Sequence, residues 1–142
     1  EGKGYTVNVP LSADASDITY HSAFEQVVLP VVARFEPQLI LVSAGFDAHA
    51  RDPLAGMTVS AAGFGWMARE LSKLAEATAK GRMALFLEGG YDLEGLETSL
   101  EAAVSAMMGL ESWDESTKQP LSSSHALEIA ETRSILKSEW RL

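Results

Sequence analysis

Three side chains in two short segments could do chemistry. Asp47 and His49, in Ser43-Ala44-Gly45-Phe46-Asp47-Ala48-His49, offer a carboxylate and an imidazole two residues apart, and Tyr91, in Glu88-Gly89-Gly90-Tyr91, offers a phenol. Alternate residues of an extended segment face the same way, so Asp-x-His could approach a metal ion from one side. The chain has no cysteine, which restricts any transition-metal site to His, Asp and Glu. Plainer readings exist for both segments: an Asp following a Gly often caps a turn, and Gly-Gly-Tyr is often a tight turn with the ring against a sheet edge.

The elements around these segments decide whether they can meet. Leu39-Ile40-Leu41-Val42 is a continuous apolar run ending in Ser43-Ala44-Gly45, the pattern of a parallel strand buried on both faces, and its loop runs to about Thr58. Phe64, Met67, Ala68, Leu71, Leu74 and Ala75 then recur at helical spacing up to a stop near Gly81. Met83 to Leu87 is a second apolar strand, leading into Glu88-Gly89-Gly90-Tyr91. Asp92 can cap a third helix with a buried stripe of Leu93, Leu96, Leu100, Val104 and Met107, stopped by Gly109.

Upstream, Tyr5 to Val9 alternates as a half-buried strand does, and Pro10 ends it. Asp17 is the candidate N-cap of a helix whose apolar positions run from Ile18 to Phe35, kinked by Pro30 and ended at Pro37. Residues 111 to 124 read as a polar surface connection before a last helix around Ala126 to Glu139. Alternating strands and helices predict an α/β fold with a parallel sheet and right-handed crossovers. Ligands bind such sheets beyond the carboxyl ends of the strands. If the two apolar strands are neighbours, about 4.8 Å apart, Asp47 and Tyr91 converge on one site.

Composition narrows the partners. Over 142 residues, 20 acidic side chains outweigh 11 basic ones, a formal charge of −9 that argues against nucleic acid or an anionic membrane as the main partner. The apolar runs are far shorter than the roughly 20 residues needed to span a bilayer. The lack of cysteine excludes disulfides and fits a cytoplasmic location. The first residues show neither an initiating methionine nor a signal-peptide pattern, so the chain reads as cut at its N-terminus. Gly63-Phe64-Gly65-Trp66-Met67-Ala68 fits the letters of a dinucleotide fingerprint but lies inside a predicted helix, where its glycines would serve close packing. Gly2-Lys3-Gly4 lacks the other residues of a phosphate loop, and His21 and His125 read as helix-surface or helix-end residues.

Taken in order, Gly4-Tyr5-Thr6-Val7-Asn8-Val9-Pro10-Leu11, the Ser43 to His49 segment, Asp52-Pro53-Leu54 and Glu88-Gly89-Gly90-Tyr91 resemble the C-terminal signature segments of the histone deacetylase superfamily, over about Gly2 to Gly109. The resemblance implies a three-layer arginase/deacetylase-like α/β fold present only as its C-terminal part, with residues 1–110 in the catalytic domain and 111–142 forming a connection and terminal helix of the same domain. It implies a catalytic zinc held by two aspartates and one histidine, Asp47 matching the aspartate of this loop. Carboxylate ligation leaves a position open where the metal can polarise water and the substrate carbonyl. Tyr91 matches the tyrosine whose hydroxyl donates to the acyl oxygen as it becomes an oxyanion. Gly89 and Gly90 would let substrate pass close to the backbone, Leu54 would line the substrate passage, and Asp52 and Pro53 would shape the loop. The family does not use the histidine of this loop as a ligand, so His49 becomes a structural or rim residue.

The family's upstream Asp-x-His pair and tandem histidines have no counterparts here. The isolated chain should therefore hold zinc poorly and lack activity, while the complete protein would hydrolyse acyl amides of acetyl-lysine or acetylpolyamine type. Two other readings stay open: a non-catalytic remnant or binding module with the same fold, and an arginase-like two-manganese hydrolase, against which Gly-Gly-Tyr speaks. A divided sheet should also expose apolar surface and promote self-association.

Overall fold

The computed structural model describes residues 4–110, 120–140 and 142. Two parallel strands, β1 (Ile40–Ala44) and β2 (Met83–Leu87), pair in register from Ile40 opposite Met83 to Ala44 opposite Leu87. Helix α3 (Ala61–Ala79) connects them, and α4 (Leu93–Met107) follows β2 and lies along α3. Ser60 caps α3, its hydroxyl accepting from Gly63 N at 3.2 Å. Lys80 and Gly81 end that helix in left-handed conformation. A Cβ on Gly63 would sit 2.9 Å from Val59 Cγ1 and collide with Asp17, so this glycine does serve close packing.

Several sequence expectations need correction. Among the described residues only one face of the strands is covered. Ile40, Val42 and Ala44 point toward the helix side, whereas Leu41 and Phe86 on the other face are 62% and 56% exposed. On α4 the expected leucine stripe is not the buried one: Gly95, Ser99, Ala102, Ala103 and Ala106 turn inward, and Leu93, Val104 and Met107 are exposed. Small side chains let α4 approach α3 closely, and the larger residues are displaced to the flanks, where Leu96 and Leu100 pack beside Phe46, Val59 and Phe64. Gly109 ends α4 at φ +71°, as expected.

The N-terminal helices build a second core together with side chains from the C-terminal end, Ile129 and Leu136 among them. Here α1 (Asp17–Ala23), a π-helical turn (Phe24–Val28) and α2 (Leu29–Phe35) run continuously. The π turn takes up the disruption expected at Pro30, which has no N–H to donate, so the helix continues through it. Ser16, not Asp17, is the N-cap. The Asp17 carboxylate instead accepts from Ser60 N at 2.7 Å and Ser60 Oγ at 2.6 Å, tying α1 to the start of α3.

The segment Tyr5 to Val9 is not a strand, because no strand lies beside it among the described residues. Val7, Val9 and Leu11 pack instead on Ala23, Val27, Val31, Ile129 and Leu136, the last two from α5 (Ser123–Trp140). His125 stands in the first turn of α5, at a helix end as expected but buried rather than on the surface, hydrogen-bonded to Thr19 Oγ1 at 3.2 Å and Ala13 O at 3.3 Å, and so joins α5 to α1. His21 stacks on Trp66 with ring centroids 3.8 Å apart. Of the expected connection, residues 111–119 lie outside the described ones. No described helix is long and apolar enough to cross a membrane.

Candidate active site

Beyond the strand ends the ladder continues for one more rung. Glu88 N donates to Ala44 O at 3.1 Å and Phe46 N to Gly89 O at 2.9 Å, so the two loops leave the sheet side by side. Asp47 therefore meets the glycine turn. A Cβ on Gly89 would lie 3.2 Å from Asp47 Cγ and Oδ1, and one on Gly45 would lie 3.0 Å from Oδ1. Gly90 has φ +134°, a region natural only to glycine, and a Cβ there would lie 3.1 Å from Leu96 Cδ1 and 3.3 Å from Phe46 Cβ. The Asp47 carboxylate is thus bordered by backbone without side chains from both loops.

The Asp52 carboxylate joins the same two loops further out. Its Oδ1 accepts from Leu54 N at 2.9 Å and its Oδ2 from Tyr91 N at 2.7 Å. Desolvation pushes this carboxyl upward, but the backbone N–H groups of Tyr91, Leu54, Ala55 and Asp92 outweigh it and hold it below the ordinary range. Next to it, Arg51 pairs with Asp92 at 3.0 Å and with Glu94 at 2.9 Å. Asp92 is held low by Arg51 and by Gly95 N, which it caps at 2.7 Å as the sequence suggests. Leu54 and Tyr91, 69% and 62% exposed, project from this frame.

His49 is buried, its Nδ1 accepting from Arg51 N at 3.2 Å. A Cβ on Gly95 would fall 2.6 Å from that nitrogen, so the ring is packed against α4. Beneath the loop, a mainly apolar cavity of about 280 Å³ is lined by Tyr20, Phe24, Val42, Asp47, Phe64 and Met67 among others. Burial raises the Tyr20 phenol above its ordinary value, and the Asp47 charge adds to this. Tyr20 carries no sequence signal for such a place, since α1 reaches Asp47 only through the fold. Arg51 and Asp52 had a partial signal, as polar residues beside Pro53 in a loop leaving a strand end.

A carboxylate such as Asp47 suits zinc, but one donor does not make a site. Among the described residues no three of His, Cys, Asp and Glu come together to hold a metal ion. Zinc would need donors beyond those that the described residues bring to Asp47.

Residues 1–107 match the histone deacetylase domain. The chain belongs to the histone deacetylase family. It is 41% identical over 112 residues to histone deacetylase 14, chloroplastic, of Arabidopsis thaliana, covering 79% of this chain and 26% of that protein. The solved HD domain of HDA15 superposes with a TM-score of 0.86 at 33% identity, covering 99% of this chain and 36% of that one. The structure of the histone deacetylase Clr3 gives 0.89 at 31% identity, with 99% and 23% covered. This chain thus spans about a quarter to a third of these histone deacetylases, and its α/β fold with a parallel sheet is a part of theirs.

Proposed function

We propose that this chain supplies the C-terminal side of the active site of a zinc-dependent deacetylase acting on acyl amides of acetyl-lysine or acetylpolyamine type. The observation that carries the reading is the convergence of Asp47 with Gly89, which brings the Tyr91 loop beside the carboxylate. Zinc, when bound, supplies a Lewis acid and activated water at neutral pH. Asp47 contributes an anionic oxygen ligand. Gly89 and Gly90 leave room for an extended acylated amine, Leu54 forms one wall of its passage, and Tyr91 donates its O–H to the acyl oxygen as charge develops there. The remaining ligands and the groups that move protons at the water and the leaving amine come from elsewhere in the complete domain, so the 142-residue chain alone is inactive. The proposal includes a cytoplasmic location and an acylated amine, rather than nucleic acid or membrane, as the partner.

The test is Asp47→Asn in a protein carrying the complete domain. A neutral amide in place of the carboxylate should lower zinc content and deacetylation together, with the fold retained. Full zinc occupancy and normal turnover after dialysis against a chelator would remove Asp47 from the ligand set. Paired manganese with arginase-type hydrolysis, or no turnover at all by the unaltered complete protein, would favour the two alternative readings instead.

A further inference from the structure

We propose that Asp52 is a positioning residue for Tyr91, fixing the backbone from which the phenol projects and coupling it to Leu54 on the neighbouring loop. This rests on the role given to Tyr91 above. Tyr91 is 62% exposed, so packing among the described residues does not hold it in one direction. Its backbone follows two glycines, the second at φ +134°, a stretch with no side chain to restrain it. The restraint comes from the other loop: Tyr91 N donates to Asp52 Oδ2 at 2.7 Å across 39 positions of sequence. A carboxylate that only shaped its own loop would be satisfied by Leu54 N on Oδ1. Asp52 uses its second oxygen on the neighbouring loop, and Arg51 reinforces the link through Asp92 and Glu94. Arg51 and Asp52 together grip Tyr91 and the cap of α4. An ionised acceptor makes each of these bonds stronger than a neutral one would.

Asp52→Asn tests this directly, because an amide accepts with one end only and presents N–H groups to a donor at the other. In the 142-residue chain, the Tyr91 amide should lose at least about tenfold in hydrogen-exchange protection, the size of effect that follows from one hydrogen bond to a charged group. Unchanged protection would overturn the proposal. The unaltered chain gives a second reading that needs no variant: by NMR, the Tyr91 amide proton should shift with acid in step with the Asp52 carboxyl carbon. Independent titration of the two would also overturn it.

In a protein with the complete domain, Asp52→Asn should lower kcat roughly 10- to 100-fold with zinc content and KM little changed, as a displaced catalytic group does. The same substitution in a Tyr91→Phe background should have almost no further effect. Equal losses in both backgrounds would make Asp52 structural and leave the role of Tyr91 standing. If Tyr91→Phe alone changed nothing, the reading of the site itself would fall, and the positioning role with it.

Discussion

Beyond the carboxyl ends of β1 and β2 the loops find partners within the chain: Gly89 O meets Phe46 N, Asp52 accepts from backbone N–H groups of both loops, and Arg51 pairs with Asp92 and Glu94. On the open face of the same two strands, Leu41 and Phe86 are 62% and 56% exposed, with nothing over them among the described residues. One short stretch of backbone is therefore finished at its end and unfinished on its flank. The geometry around Asp47 and Tyr91 is set by bonds local to two loops, whereas covering the sheet requires structure that these residues do not provide.

That contrast can be broken by making the same kind of change in each region. Phe46→Ala should have the larger effect. Phe46 is 3% exposed and packs on Phe64 with ring centroids 5.0 Å apart, so losing it should cost about 3–5 kcal/mol of stability, read from denaturant unfolding. It should also loosen the Asp47 loop. A loss under about 1 kcal/mol would mean that packing does not support the strand-end loops. Phe86→Ala, on the open face, should change unfolding by no more than about 0.5 kcal/mol. It should nevertheless reduce the self-association that light scattering of the chain is expected to show, since exposed apolar patches drive such contacts. A strictly monomeric parent chain would contradict the importance given to the open face.

A smaller effect, from acid, sharpens the comparison. The Asp52 and Asp92 carboxyls are held below their unfolded values, so their contribution to stability is complete above the unfolded pKa and disappears as pH falls through the folded one. Glu128 on α5, which accepts from Ser12 N at 3.1 Å at the surface, behaves alike. The melting temperature should stay nearly level from about pH 5 to 8 and fall only below about pH 4. Asp52→Asn and Asp92→Asn should each flatten part of that acid slope, and a slope unaffected by both would place the acid-sensitive bonds elsewhere.

Much of the frame was legible in the sequence because it depends on local pattern. The two apolar runs became neighbouring parallel strands, Asp92 became a cap, and Gly109 became a stop. The buried side of α4 was not legible, because periodicity marks large apolar residues, whereas close contact with α3 selects Gly95, Ser99 and the alanines. Tyr5 to Val9 has the alternation of a strand but lacks a neighbour to pair with among the described residues, and pairing is not a property of one segment. At the site, Asp47, Gly89, Gly90 and Tyr91 stand in recognisable order along the chain. The role of Asp52 as a bridge between loops was hidden, since a hydrogen bond across 39 positions leaves no trace in local spacing.

The most direct measurement of the central claim is steady-state deacetylation of an acetyl-lysine peptide and an acetylpolyamine by a zinc-loaded protein with the complete domain, compared with its Tyr91→Phe variant. The substitution removes one hydroxyl from a largely exposed ring, so fold and zinc content should be unchanged. Loss of one preorganised oxyanion donor should lower kcat by about 10²- to 10³-fold, equivalent to about 2.7–4 kcal/mol. KM should change far less, because the bond strengthens mainly in the transition state. Unchanged turnover on the better substrate, with zinc retained, would contradict the role assigned to Tyr91 and with it the site built from these two loops.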